Sequence, residues 1–413
     1  MSNFLQLITL IAIILIAAKL AGYLSIKINQ PSVLGELLVG VLLGPSLLNI
    51  THWSFITDIH LPVVLKELGE IGVLLLMFLA GLELHLTEMA KSSRVAALSG
   101  VLGVITPIAM ALGFGRLLGM DFNHALFLGL TLGATSVSIS VQVLIELKVV
   151  RSKVGLGLLG AAIFDDVLVI LLLSTVLALL SGGSGLSSML LVFGKMLLFL
   201  AFALAFGLWL LPLITRNIHR LSVSQGITTF ALIVMLVFGL AAELVGGMAA
   251  ITGAFLAGMM FARTPEKSQI DANLHSIAYA FFVPIFFVGV GLNVDLHVVT
   301  LQTVGIILAL VLIAATGKLL GAGSGALLSK FSLRESVQLG IGMISRGEVG
   351  LIITNVGLTA GFISNAFFSS IIATILICDL ITPPLLRAVF VKKKRPNDPI
   401  IKETDSLTSK ENV

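Results

Sequence analysis

Charge is what this sequence most lacks. Only 11% of its 413 residues are Asp, Glu, Lys or Arg, against about a quarter in an ordinary soluble domain. Apolar residues make up the difference at 57% of the chain, giving a mean hydropathy of +1.12. A soluble fold cannot shelter that much apolar surface, so a globular cytosolic enzyme is excluded. Cysteine is nearly absent as well. Cys378 stands alone, which rules out an internal disulfide and a cysteine-built metal centre. The seven His lie at the edges of apolar runs or between them, which argues against a His-based metal site. The net charge of +4 does not indicate a nucleic-acid partner, because basic residues in short cytoplasmic connections account for it. Glycine is plentiful, at 41 residues alongside 11 Pro, and both types are commoner in membrane helices than in soluble ones. The expected class is an all-α polytopic membrane protein embedded in the lipid bilayer.

A spanning helix needs about 20 mostly apolar residues, and about thirteen such runs can be marked. They begin with 3–26 and 32–50, pass through 123–146, 153–180, 246–263, 299–328 and 335–360, and end with 366–391. The first residues lack the basic stretch of a signal peptide, so the first run is kept as a span. Lys and Arg gather in the odd-numbered connections and in the tail run Lys392–Arg395, leaving Lys66 and Arg116 on the other side. By the positive-inside rule the N-terminus is external and the C-terminus cytoplasmic. The expected organisation is a transmembrane domain over 1–391 and a short polar, basic cytoplasmic tail over 392–413.

The sequence also echoes itself. LGELLVG around Gly35 and Gly40 returns as ITGAFLAG around Gly253 and Gly258, and FLAGLEL (78–84) returns as FFVGVGLNVDL (286–296). The pairs keep the same order along the chain. They divide it into repeat one, about 3–180, a connector helix, about 188–214, and repeat two, about 225–391. An odd displacement of seven helices turns the second copy upside down, and inverted repeats are a hallmark of secondary transporters. GLTLGATSVSIS (129–140) and GIGMISRGEVG (340–350) occupy matching positions and are rich in Gly, Ser and Thr. Paired interruptions of this kind point to a transport site, because half-helix ends and freed carbonyls can face an ion.

An ionisable side chain at mid-membrane costs at least about 2.5–3.5 kcal/mol on insertion scales. Asp165 and Asp166 therefore stand out within GLLGAAIFDDVLVILLLS, as do Lys318, Arg346 and Glu348 in later spans. Adjacent helical residues point about 100° apart, so the two Asp serve different partners: one faces a cavity and the other meets a cation, for which Lys318 is the candidate. These acids outnumber these bases, leaving one carboxylate that must take a proton or a cation. That choice is the chemistry of a cation/proton exchanger. Carboxylates, the hydroxyls of Thr135 or Ser136, and loosened carbonyls supply the oxygen ligands that Na⁺ favours. Competing readings make the Asp pair a polar clamp, Lys318 a permanent neutraliser, and Arg346 with Glu348 structural, satisfying half-helix ends and one another. Lys19 reads as a snorkelling lysine, and Glu36, Glu243 and Asp379, the last ahead of the helix-disrupting Pro383–Pro384, as structural or accessory.

Taken together, PSVLGELLVGVLLGP (31–45), FLAGLEL (78–84), GATSVSIS (133–140), FDDVL (164–168), FFVGVGLNVDL (286–296), Gly317–Lys318 and SRGEVGL (345–351) resemble the second family of monovalent cation:proton antiporters. Within it, the Asp pair with the lysine resembles the NapA-type and spore-germination Na⁺/H⁺ antiporters. The resemblance implies an NhaA-like fold with two crossed discontinuous helices, a mobile core domain and a dimerisation domain, hence a homodimer. It gives Asp166 the part of main ion-binding carboxylate, pairs Asp165 with Lys318, and places Thr135 at the polar position of the first broken helix. It further implies electrogenic exchange at a bacterial plasma membrane with no cofactor beyond the transported ions. The Kef-type branch carries a nucleotide-binding domain and often Gln-Asp at the pair, and this chain has neither. A K⁺/H⁺ antiporter or K⁺ efflux system and a sodium-driven organic-anion symporter are the alternatives.

Overall fold

The computed structural model describes residues 2–53, 56–84, 92–180, 185–218, 225–293, 297 and 301–390. The tail 392–413 lies outside the described residues, as do Lys91 and Arg220. Among the described residues all regular structure is helical. In chain order the first half comprises α1 (Asn3–Lys27), α2 (Ser32–Leu43), α3 (Leu61–Leu82), α4 (Ser93–Leu117), α5 (Phe122–Gly133), α6 (Ser138–Glu146) and α7 (Lys153–Leu180). Next come α8 (Gly185–Ala205) and α9 (Leu211–Ile218), joined by the π-helical turn Phe206–Leu210. The second half comprises α10 (Gly226–Leu244), α11 (Ala250–Phe261), α12 (Lys267–Ile277), α13 (Val283–Leu292), α14 (Leu301–Leu328), α15 (Leu333–Gly342), α16 (Gly347–Thr359) and α17 (Asn365–Phe390).

Each expected span meets a helix, but the count of thirteen crossings is not established. Among the described residues nine helices are long and apolar enough to cross a membrane. The runs 32–50 and 246–263 hold helices of only 12 residues each, about 18 Å of rise against a hydrocarbon core of about 30 Å. Punctuation in the chain shortens them. Pro31 opens α2 and Gly44–Pro45 closes it, while the turn at Gly246–Gly247 holds back the start of α11. Conversely, α17 runs unbroken through Pro383 and Pro384, where a disruption is expected from sequence. Membrane helices tolerate proline when neighbouring groups satisfy the freed backbone.

The two short helices occupy matching places. A Cβ at Gly35 of α2 would run into the Ala21 carbonyl of α1, and one at Gly253 of α11 into the Phe238 carbonyl of α10. One turn on, a Cβ at Gly40 would strike the Val288 carbonyl of α13, and one at Gly258 the Phe78 carbonyl of α3. Each short helix thus packs, glycine to backbone, on the helix before it and on a helix of the opposite half, α2 on α13 and α11 on α3. Small residues permit this close approach.

The helices sort into two groups by their packing. In one, α1, α2, α3, α10, α11 and α13 pack mainly on one another. In the other, α4, α5, α7, α14, α15, α16 and α17 do the same, with α6 attached to them through α17. Contact between the groups is thin. It runs through α6 against α2 and α3, through α17 against α2, and through α7 facing α11 at Asp166. Val41 of α2 against Leu376 and Leu380 of α17 is an apolar part of this boundary.

Candidate functional site

Two helices are interrupted where the sequence is rich in Ser, Thr and Gly. Residues 134–137 separate α5 from α6, and 343–346 separate α15 from α16. Unpaired backbone at membrane depth costs several kcal/mol per group, so each break must find partners, and each finds them in the other. Ser136 N donates to the Ser345 carbonyl at 2.9 Å, while the Ser345 hydroxyl donates to the Ser136 carbonyl. The Ser140 hydroxyl donates to the Gly342 carbonyl at 2.6 Å, and Ser136 Oγ lies 2.9 Å from Ser138 Oγ. The two breaks therefore cross and hold each other.

Arg346 completes the crossing. It is fully buried, with Nη1 donating to the Ala134 carbonyl at 2.8 Å and Nη2 to the Ala314 carbonyl of α14 at 2.5 Å. Ala134 caps the C-terminus of α5, where backbone dipoles leave partial negative charge for a cation to meet. At the opposite pole, Arg346 N, leading into α16, donates to Asp379 Oδ1 of α17 at 2.8 Å. A carboxylate thus sits where a helix N-terminus is positive. Arg346 serves carbonyls, and the side chain of Glu348, its expected partner, lies outside the described residues. Gly347, at φ +45°, lets the chain turn into α16 directly over Ser136.

Both Asp of the pair are buried on α7, and they diverge. Asp165 Oδ1 accepts from Lys318 Nζ of α14 at 2.5 Å, and both side chains are at most 1% exposed. Asp166, one residue on, turns to the boundary between the helix groups. Its Oδ2 accepts from the Thr252 hydroxyl of α11 at 3.1 Å. Beside it is a cavity of about 10 Å³ between Val137, Ala162 and Ile163 on one side and Met77, Ile251 and Phe255 on the other. That is about the space one water requires. Thr135, in the first break, is 3% exposed, and its hydroxyl has no hydrogen-bond partner among the described residues. Asp165, Asp166 and Lys318 are thus brought together, with Thr135 and Ser136 in the nearby crossing.

Thr252, Ser345 and Asp379 carry contacts that the sequence reading did not assign to the site. For Thr252 a signal was present, since it is the only side chain with a hydroxyl or charge in α11. Lys19, expected to snorkel, is exposed and donates to the Tyr279 carbonyl at 2.8 Å, within the π-helical turn Ala278–Phe282.

Crossed, interrupted helices around a buried ion pair, in two halves that exchange packing partners, define an inverted-repeat secondary transporter. The chain belongs to the family described as sodium/hydrogen exchanger, transmembrane, whose model matches residues 12–392. It is 40% identical over 385 residues to the Na(+)/H(+)-K(+) antiporter GerN of Bacillus cereus, covering 93% of this chain and 96% of that one. It is 37% identical over 399 residues to a Na(+)/H(+) antiporter of Enterococcus hirae, covering 95% and 100% respectively. Among solved structures, the sodium proton antiporter MjNhaP1 of Methanocaldococcus jannaschii at pH 8 superposes with a TM-score of 0.66 at 16% identity. That match covers 94% of this chain and 97% of the other and speaks to the fold alone.

Proposed function

We propose that this protein is a secondary-active antiporter of a bacterial plasma membrane that exchanges cytoplasmic Na⁺, or Li⁺, for external protons. The observation that carries the reading is the position of Asp166, a buried carboxylate beside a one-water cavity on the boundary between two weakly joined helix groups. One such carboxylate takes either a proton or a desolvated cation, not both, and that exclusion is what couples the two fluxes. A cavity of about this size suits a single bare ion. Alternating access is motion of the group holding the broken helices against the other.

In this reading Asp166 carries the ion, with Thr135 and Ser136 contributing oxygen. Asp165 and Lys318 form the coupling pair, and Arg346 with Glu348 shapes the crossing. Repeat one spans about 3–180, the connector about 188–214 and repeat two about 225–391. The N-terminus is external, the C-terminus cytoplasmic, and two copies form a dimer. Exchange is electrogenic, and nothing beyond the transported ions is required. A K⁺-carrying exchanger is the second reading, favoured by the name of the Bacillus cereus relative.

The test is cation-dependent collapse of a proton gradient in everted vesicles, titrating Na⁺, Li⁺ and K⁺ with wild type and Asp166→Asn. A Na⁺ response lost in the variant supports the reading. A response to K⁺ alone selects the second, and Na⁺/H⁺ exchange retained by Asp166→Asn overturns the role given to that residue.

A further inference from the structure

Buried threonine hydroxyls in this protein mostly turn back on their own helices. Thr131, Thr354, Thr374 and Thr382 each donate to the carbonyl four residues earlier, at 2.6–3.1 Å. Thr252 does not. It lies in the first turn of α11 and gives its one proton to Asp166 across the boundary between the helix groups. The two side chains are 2% and 6% exposed, so the bond forms away from water, where a charged acceptor makes it about twice as strong as a neutral one.

An exchanger stays coupled only if its empty form switches sides more slowly than its loaded forms. The proposed antiport, on which this inference rests, leaves Asp166 ionised when empty and neutralised when it holds a proton or a cation. A hydroxyl on the opposing group that binds the ionised carboxylate best would therefore hold back the empty form selectively. We infer that Thr252 is a positioning residue that tethers unloaded Asp166 to α11, and that loading of the carboxylate weakens the tether and frees the core group to move. Thr252 thus acts through Asp166 to suppress slippage of the empty carrier.

The inference separates two fluxes. In proteoliposomes at equal alkaline pH, with the potential clamped by a permeant anion, ²²Na⁺/Na⁺ exchange needs only the loaded form. Net ²²Na⁺ efflux into Na⁺-free buffer returns the carrier either proton-loaded or empty, and the part not matched by proton entry, followed with an internal pH dye, reports the empty form. If the cation titration selects K⁺, ⁸⁶Rb⁺ replaces ²²Na⁺. Thr252→Val, which keeps the shape and removes the donor, should raise the ratio of this unmatched net efflux to exchange by on the order of tenfold, the worth of one hydrogen bond to a charged group. Thr252→Ser should keep the wild-type ratio, and Thr252→Ala should raise it, which gives a second reading if the valine variant folds poorly. A ratio unchanged in both donor-less variants, whether their absolute rates hold or fall together, overturns the inference and leaves antiport standing. A wild type that performs neither flux overturns the antiport reading itself.

Discussion

Lys318 and Asp165 meet at 2.5 Å with neither side chain more than 1% exposed, and both belong to the helix group that contains the crossing. Asp166 turns the other way, to Thr252 on the opposite group. The turn of an α-helix, about 100° per residue, is enough to separate the two carboxylates. It commits one to a contact within its own group and the other to the boundary between groups. A single Asp-Asp step in the sequence thereby places one carboxylate against a lysine and the next on the boundary between the groups.

That pairing makes a stability prediction. Removing one partner of a buried ion pair typically costs about 3–5 kcal/mol, because the other charge stays buried without compensation. Lys318→Ala should therefore lower the thermal unfolding midpoint of the purified protein in detergent. Lys318→Gln combined with Asp165→Asn should regain most of the loss, since two neutral amides remain able to hydrogen-bond. A double variant no more stable than Lys318→Ala would mean that the lysine contributes packing rather than charge.

The proposed competition at Asp166 fixes the sign of the pH dependence. Where protons occupy the carboxylate, each unit of falling pH should raise the apparent KM for Na⁺ by up to about tenfold, the limit for one competing proton. At pH well above the carboxylate's own range the KM should level off, with kcat the less affected parameter. Initial rates of ²²Na⁺ uptake across a pH series at saturating and limiting Na⁺ check this. A KM independent of pH while uptake persists would exclude a shared site.

Much of the fold was legible because membrane helices advertise themselves by composition, and Asp165, Asp166 and Lys318 stood out because charge is rare in apolar runs. What escaped notice was written in ordinary residues. Thr252 is one hydroxyl in an apolar run, and only three-dimensional proximity sets it against Asp166. The shortness of α2 and α11 was hidden because apolar loop residues extended their hydropathy past the helix ends. The sequence pairs Arg346 with a nearby acid, but it does not reveal that the guanidinium donates to the Ala134 carbonyl, which the first break exposes, and to the Ala314 carbonyl of α14. Hydropathy reports where a chain sits in the membrane, but not which backbone groups a broken helix leaves unsatisfied.

Gly347 tests the crossing directly. Its φ of +45° costs an L-residue about 1–2 kcal/mol, and an added Cβ would also strike the Ser136 side chain. Gly347→Ala should therefore lower both the unfolding midpoint and transport. Gly305→Ala, in α14 with nothing within 4 Å of the new methyl, should be neutral or stabilising by up to about 1 kcal/mol. Equal behaviour of the two variants would show that the crossing does not depend on close approach at Gly347.

The last prediction concerns a polar clasp that joins the two groups at one end of the molecule. Ser32, opening α2, donates through its N–H at 2.8 Å and its hydroxyl at 2.5 Å to the Glu146 carboxylate at the end of α6. Gln142 donates to Glu146 at 2.8 Å and accepts from the Tyr279 hydroxyl at 2.9 Å. Close by in sequence, Arg151 pairs with Glu83 beyond the end of α3. In the proposed orientation, with the basic connections cytoplasmic, these contacts lie toward the cytoplasmic side. Under the proposed alternating access, opening toward the cytoplasm breaks them. Glu146→Ala removes the acceptor shared by Ser32 and Gln142, and hydrogen exchange should then quicken in the segments 27–34 and 142–153 but not at the Ser136–Ser345 crossing. The size expected is the loss of two or three hydrogen bonds to a charged group, each worth about 1.5–3 kcal/mol, offset in part by water entering at this edge. Faster exchange at the crossing as well would mean that the variant loosens the whole core group instead of opening one face.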